Sequence, residues 1–430
     1  MAVMGKRPQS TASTGIVLAA WFVTSVFYFY QYSMRSAPAV MVPELSKAFG
    51  LTSVGVASLI GLFYYGYAPF SLVAGVAMDQ VGPRKVVPLG AACVAVGAAL
   101  FSTADPLLGS IGRFMQGMGG VFALIGAVYL VTTFMPASRA ATMIGATQMF
   151  GMAGGSAGQF VVGPLISSGL PWDRFWLMMG IAGVPIAFFL FLLIPRQTPS
   201  PDAAPRAGLG AAMRGMGVVF KNPQSILCGL IAGLIFVPTT IFDMVWGVRY
   251  LQEAHDLPYT VSVLRSASVP FGWIIGCPLL GWLSDRIGRR KPVIIGASLL
   301  LLVCLALILF APAGTFPTYT LGLTAGIASG AAMIPYTVIK EANRPEHSGT
   351  ATGVINFLNF SMTALLGPLF ASRLTAISAG GDRDLSHYQS AFTPLLYGVA
   401  AAILLTLLLR ETGPRGRQLR TAAGAKLATN

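Results

Sequence analysis

The sequence predicts an all-α polytopic membrane protein, with twelve transmembrane helices in two pseudo-symmetric six-helix halves. Composition is the first observation behind this expectation: 55% of residues are hydrophobic and only 10% are charged, against about 25% charged in a soluble domain. Mean hydropathy is +0.71, and a water-soluble core of 430 residues has no use for so much apolar surface. The second is the recurrence of apolar stretches of about 18 or more residues, enough to cross a hydrocarbon core of about 30 Å. The third is a short charged turn that occurs twice, roughly half a chain apart. The stretch from Gly75 to Lys85 returns as Gly281 to Lys291, with Gly75, Asp79 and Gly82 matched by Gly281, Asp285 and Gly288. Two copies at that spacing indicate an internal repeat.

The first span is expected near 15–42, after Lys6 and Arg7; its aromatic run from Trp21 to Tyr32, with no small-residue cleavage pattern behind a short apolar core, reads as a retained helix. The second (54–78) ends at the repeated turn. Asp105 and Pro106 mark the reversal between the third (86–102) and fourth (107–134), and Pro171 to Arg174 that between the fifth (140–168) and sixth (175–194). Pro, Gly and Ala then alternate with Arg196, Asp202, Arg206, Arg214 and Lys221, a water-exposed linker. Six further spans follow near 225–248, 259–283, 292–311, 319–339, 348–373 and 391–409, then a basic Gly- and Ala-rich tail expected to lack order. The division is therefore 1–195, linker 196–222, 223–410 and tail 411–430.

The net charge of +14 would point to nucleic acid in a soluble protein. Here most basic residues lie in the amino end, the turns after even-numbered spans and the tail, while the opposite segments hold only Lys47, Arg174, Arg249, Arg373 and Arg383. The bias orients both termini to the cytoplasm and excludes nucleic acid as the partner. Cys93, Cys228, Cys277 and Cys304 sit singly in apolar stretches, so neither a disulfide framework nor a zinc site is expected. No metal or other cofactor is implied. With no nucleophile motif and no phosphate-binding Gly-Lys-Ser/Thr loop, the sequence does not read as an enzyme. His255, His347 and His387 all fall outside the expected spans.

Charges inside apolar spans carry the functional reading, because a charge at a helix centre in lipid costs at least about 2.5–3.5 kcal/mol. Arg35, Arg113, Asp243 and Arg265 are so placed. Gln31 precedes Arg35 by one turn, with Tyr28 and Tyr32 near the same side, and Gln116, Gly117, Gly119 and Gly120 follow Arg113. Three arginines against one aspartate favour an anionic substrate, since guanidinium matches carboxylate or phosphate. Arg265 also fits snorkelling to the interface. Asp243 either takes up and releases a coupling proton or forms a fixed pair with Arg35, Arg249 or Arg265. Glu44 reads as an outer-surface or gate residue.

The repeat aligns Gly66 with Gly272, and Tyr65 and Tyr67 with Phe271 and Trp273; with a two-residue slip it aligns Gly145 with Gly353 and Gln148 with Asn356. These amides, with Asn359, either face a central path or bond between packed helices. Arg113 falls opposite Gly322, and Arg265 opposite Leu59.

These residues bring out a resemblance across nearly the whole chain. The Gly75–Lys85 and Gly281–Lys291 stretches resemble the loop motif of major facilitator superfamily secondary transporters, with Gln80 and Pro83 departing from it, and Gly112 to Gly119 is similar to that family's fourth-helix motif. Tyr32-Ser33-Met34-Arg35 with Arg113 resembles the organic-anion symporter branch. The resemblance implies alternating access by two halves, proton-coupled import of a small organic anion, and location in a bacterial inner membrane. It implies substrate contacts at Arg35 and Arg113; Gln31, Tyr32, Tyr65, Gln148, Asn356 and Asn359 are expected to line the same site, and Asp79, Arg84, Asp285 and Arg289 to form a gate. Amino-acid or nucleoside transport, proton-driven export of amphipathic compounds, and a receptor built on the same scaffold stand as alternatives. The oligomeric state is not set by the sequence.

Overall fold

A computed structural model of the chain describes residues 13–135, 137–196, 209–310, 312, 319–344, 348–379, 381 and 383–413. Among them, twelve helices are long and apolar enough to span a bilayer. The first six are Thr14–Val40, Ser53–Met78, Pro83–Phe101, Pro106–Val131, Met143–Ser167 and Trp172–Leu193. The second six are Pro223–His255, Tyr259–Ile287, Lys291–Phe310, Thr320–Ala342, Gly349–Ile377 and Leu385–Leu408. Local chemistry sets their starts. Pro83, Pro106 and Pro223 occupy first-turn positions, where a missing N–H costs nothing. Asp105 accepts the Leu108 N–H at 2.8 Å and Thr52 that of Gly55 at 3.2 Å, each capping otherwise orphaned donors.

The repeat is physical as well as textual. Gly82 and Gly288 both adopt left-handed backbone, with φ of 90° and 70°, so each turn needs glycine there. Gly66 and Gly272 do the same job in the two halves. A Cβ on Gly66 would lie 2.2 Å from the Phe114 carbonyl oxygen, and one on Gly272 would lie 2.2 Å from that of Leu323. Spans two and four, and eight and ten, therefore meet backbone to backbone.

The halves meet along two helix pairs, the second span with the eleventh and the fifth with the eighth. Few polar contacts cross this seam. Asn356 Nδ2 donates to Ser71 Oγ (3.3 Å), Ser156 Oγ to the Ala267 carbonyl (3.0 Å) and Tyr259 Oη to that of Val40 (2.6 Å).

Two connections hold more structure than expected. Part of the linker is a helix, Leu209–Lys221, with Val219 buried and the Phe220 ring edge-on to Phe357 at 6.1 Å. The tail is packed for its first three residues. Glu411 accepts the Arg290 and Lys291 N–H groups (2.7 and 3.2 Å), capping the ninth span, and Thr412 hydroxyl bonds to Glu341. Residues 414–430 lie outside the described set. A carboxylate on first-turn N–H groups is worth about 0.5–2 kcal/mol, so Glu411→Ala is expected to lower the melting temperature of the solubilised protein by a few degrees. An unchanged melting temperature would contradict the cap.

Candidate functional site

The first span delivers Arg35 to the junction of the halves. Its side chain is buried, at 2% exposure, yet it has no acidic partner among the described residues. Six aromatic rings surround the guanidinium instead: Phe360 and Tyr32 at 4.5 and 4.6 Å, Tyr64 and Phe63 at 4.8 and 5.2 Å, Tyr67 and Phe236 at 5.3 and 5.9 Å. Phe236 comes from the seventh span and Phe360 from the eleventh, so both halves build the cage. Nε donates to Tyr64 Oη at 3.3 Å, while both terminal nitrogens are buried without a hydrogen-bond partner. Ring faces partly offset the cost of the buried cation. They leave its planar fork of donors open to an oxyanion.

Arg113, expected to face the same path, directs its described hydrogen bonds within the amino-terminal half. One terminal nitrogen donates to the Met34 carbonyl (3.2 Å) and Gln116 Oε1 (2.6 Å), the other to the Ile60 carbonyl (3.4 Å). Its guanidinium lies over Phe63, Phe101 and Trp176, at 5.4 to 5.8 Å. It ties the Met34 carbonyl, in the backbone next to Arg35.

Tyr65 faces outward. It is 41% exposed, on the same face as Pro69 and Val73, and its repeat partner Phe271 is likewise 52% exposed. Successive helix residues turn by about 100°, so it is Tyr64 and Tyr67 that point inward, as does Trp273 opposite Tyr67. Tyr32 stacks edge-on against Tyr28, at 4.9 Å. Gln31 is fully buried with its amide unpartnered and its oxygen close to Gly120.

The amides divide. Gln148 accepts from Tyr28 (3.3 Å) within the amino-terminal half. Asn356 and Asn359 share Tyr336: its hydroxyl donates to Asn356 Oδ1 (2.8 Å) and accepts from Asn359 Nδ2 (3.1 Å). Asn359 Oδ1 is unpartnered, as is the hydroxyl of Tyr67. Tyr336, Phe63, Tyr64, Phe236 and Phe360 thus join the candidate site, and the sequence did not single them out. Their legible signal was the aromatic cluster at 63, 64 and 67 and the adjacency of Phe360 to Asn359.

Asp243 forms no ion pair among the described residues. Its Oδ1 accepts from Ser266 (2.8 Å), Arg249 is bonded to Glu253, and Arg265 is half-buried beside the same cavity.

Among the described residues, the ion pairs of the charged turns lie within their own halves. Asp285 pairs with Arg290, not Arg289, and Arg290 reaches on to Glu341 at 3.0 Å. Burial alone would pull the Arg290 guanidinium down, but the hydrogen bonds it donates to Glu341 and Asp285, with their charges, hold it above its ordinary value. Arg289 is half-exposed, 3.8 Å from Glu411. Arg84 donates to the Ile194 carbonyl (3.2 Å) and lies over Phe191. The Asp79 side chain is outside the described residues. Of the expected gate of Asp79, Arg84, Asp285 and Arg289, the described contacts of the last three lie within their own halves.

Comparison with known proteins matches this architecture. The model of the Major Facilitator Superfamily matches residues 21–368. The chain is 23% identical to the membrane sensor protein UhpC of Escherichia coli, over 92% of each chain. It is 24% identical to the hexuronate transporter of Bacillus subtilis, over 78% of this chain and 83% of that one. The crystal structure of a mutant of the nucleoside transporter NupG superposes with a TM-score of 0.69 at 13% identity, covering 91% of this chain and 99% of that one. With twelve spans, a twofold-repeated turn and a family match over most of its length, the chain belongs to the Major Facilitator Superfamily and is a multi-pass transporter of the bacterial inner membrane, not an enzyme.

Proposed function

We propose that the protein is a proton-coupled importer of a small organic anion, a carboxylate, sugar acid or related metabolite, working by alternating access of its two halves. The observation that carries this reading is Arg35, an unpaired guanidinium at the junction of the halves with both terminal nitrogens unpartnered. A carboxylate there forms a bidentate, charge-assisted pair and takes over the neutralisation that aromatic faces now supply in part. Because the donors of Arg113 are largely committed to backbone and Gln116, the site matches one carboxylate better than two. The Tyr67 hydroxyl and Asn359 Oδ1, both unpartnered, suit hydroxyl groups on the substrate body. Similarity to a hexuronate transporter agrees with this chemistry. We take the end bearing the repeated turns, and both termini, as cytoplasmic. Entry of a proton with the anion offsets its charge against a membrane potential worth about 2.3 kcal/mol per charge per 100 mV.

A ligand screen by thermal shift tests the reading. A ligand at 100 times its Kd adds about 2.7 kcal/mol to stability, so one or more monocarboxylates are expected to raise the melting temperature of wild type but not of Arg35→Gln. Stabilisation by neutral or cationic solutes alone would overturn the anion site and favour export of amphipathic compounds. The similarity to a membrane sensor supports a second reading, ligand binding without transport. Its signature is an anion that stabilises the protein yet is never accumulated in vesicles.

A further inference from the structure

The seventh span changes its winding where it passes Asp243. Pro238, which has no N–H to donate, opens a π-helical segment, Pro238–Gly247. Such wide turns are rare and concentrate at functional sites, because one extra residue per turn can be absorbed or released. Asp243 lies within it, 4% exposed, with Oδ1 accepting from Ser266 and Oδ2 buried without a partner.

The carboxyl borders a cavity inside the carboxy-terminal half, lined also by Thr239, Tyr250, Arg265, Ser266 and Ser329. The charged or titratable groups facing it are Tyr250 on the same span, whose hydroxyl meets His255 Nε2 at 2.9 Å, and Arg265 from the eighth span. The walls from the ninth and tenth spans bring Leu301, Leu305, Ile308, Leu321 and Ala325, with Ser329 as the polar exception. Arg265 makes the cavity a poor host for a metal cation, and no second carboxylate among the described residues lines it to hold one.

A chain of contacts joins this cavity to the Arg35 cage. Thr239, on the cavity wall, accepts the Trp273 indole N–H at 3.0 Å. The Trp273 ring meets Phe236 at 4.9 Å, and Phe236 lies 5.9 Å from the Arg35 guanidinium. All three intervening side chains are buried.

We propose that Asp243 is the proton-binding group of the transport cycle, housed in the carboxy-terminal half apart from the substrate site, and that the π-helical turn couples its protonation to Arg35 through Thr239, Trp273 and Phe236. The proposal rests on the proton-coupled reading above. Gaining a proton removes a full charge where no cation is paired with it, and frees the Ser266 hydroxyl to reorient. Rewinding the turn toward regular α-helix rotates Phe236 relative to Asp243, which changes the cage around Arg35. The π turn is the two-state element that such coupling requires.

Infrared difference spectra of the full-length protein in lipid, recorded as pH is changed, give a readout independent of substrate. The carbonyl band of a protonated carboxylic acid is expected to titrate in wild type, to vanish in Asp243→Asn and to shift its midpoint in Ser266→Ala. In proteoliposomes, Asp243→Asn is expected to lose at least tenfold of the anion accumulation driven by an acid exterior, and its exchange of labelled for unlabelled anion is expected to lose the pH dependence seen in wild type. If wild type moves an anion and Asp243→Asn accumulates it equally well with an unchanged infrared response, the proton site is wrong and the anion site stands. If wild type moves no anion but the band is present and lost in Asp243→Asn, the transport reading fails and the proton site stands. A band abolished by sodium at constant pH would assign the group to a metal cation and overturn the proposal.

Discussion

Arg35→Gln is expected to reduce anion uptake more than a hundredfold in kcat/KM while leaving the melting temperature unchanged or raised. The two halves of that result come from one physical fact. A buried cation without an acidic partner costs several kcal/mol of desolvation, which aromatic faces repay only in part. Removing the charge therefore relieves a cost in the empty protein. In the loaded protein the same change deletes a bidentate, charge-assisted pair, whose loss is worth about 3 kcal/mol or somewhat more. Stability and function are opposed at this position, as expected where a site is kept strained for its ligand. Arg35→Lys keeps the charge but not the planar fork, and should fall between. Had Arg35 a purely structural role, its removal would lower the melting temperature along with transport. Arg113→Gln is expected to lower both, because its donors hold the Met34 and Ile60 carbonyls.

Gly117→Ala is expected to be among the most destabilising single changes in the molecule. A Cβ at Gly117 would lie 1.9 Å from the Phe63 carbonyl oxygen and 3.0 Å from the Tyr67 nitrogen. Both obstacles are backbone, so no rotamer change relieves the clash, and the second and fourth spans must move apart. Overpacking typically costs about 1–3 kcal/mol, and a main-chain obstacle puts this case at the upper end. The movement also reaches the site, because the Phe63 ring touches Arg35 and Arg113 alike. Gly61→Ala, on the second span with nothing within 4 Å of the added Cβ, is the control. Equal melting temperatures and equal size-exclusion profiles for the two variants would refute the backbone-contact account of this helix pair.

The spans were readable because lipid imposes a length and a composition that no soluble core needs. The repeat was readable because its turn requires glycine with positive φ at Gly82 and Gly288. Facing direction was far less legible. A helix apolar all round carries no sequence contrast between its lipid side and its bundle side, so Tyr65, Tyr64 and Tyr67 look alike until packing separates them. Arg35 and Arg113 both read as buried cations, and only the path of the backbone decides that one finds carbonyls while the other finds rings. No partner for Asp285 was legible: the chain reverses at Gly288, and it is Arg290, beyond that turn, that comes back to the carboxylate. Phe236 carries no such signal in the sequence and acquires meaning only where the halves meet. Asp243 was legible as a buried acid; the cavity beside it and its lack of a cationic partner were not.

The most direct test is uptake by proteoliposomes of a labelled panel holding sugar acids, small mono- and dicarboxylates, amino acids and phosphate esters, with the pH gradient and voltage set independently. The account predicts that an acid exterior drives accumulation of a monocarboxylate in wild type, and that Arg35→Gln, folded and at least as heat-stable, does not accumulate it. Transport confined to neutral or cationic solutes, undiminished in Arg35→Gln, would contradict it.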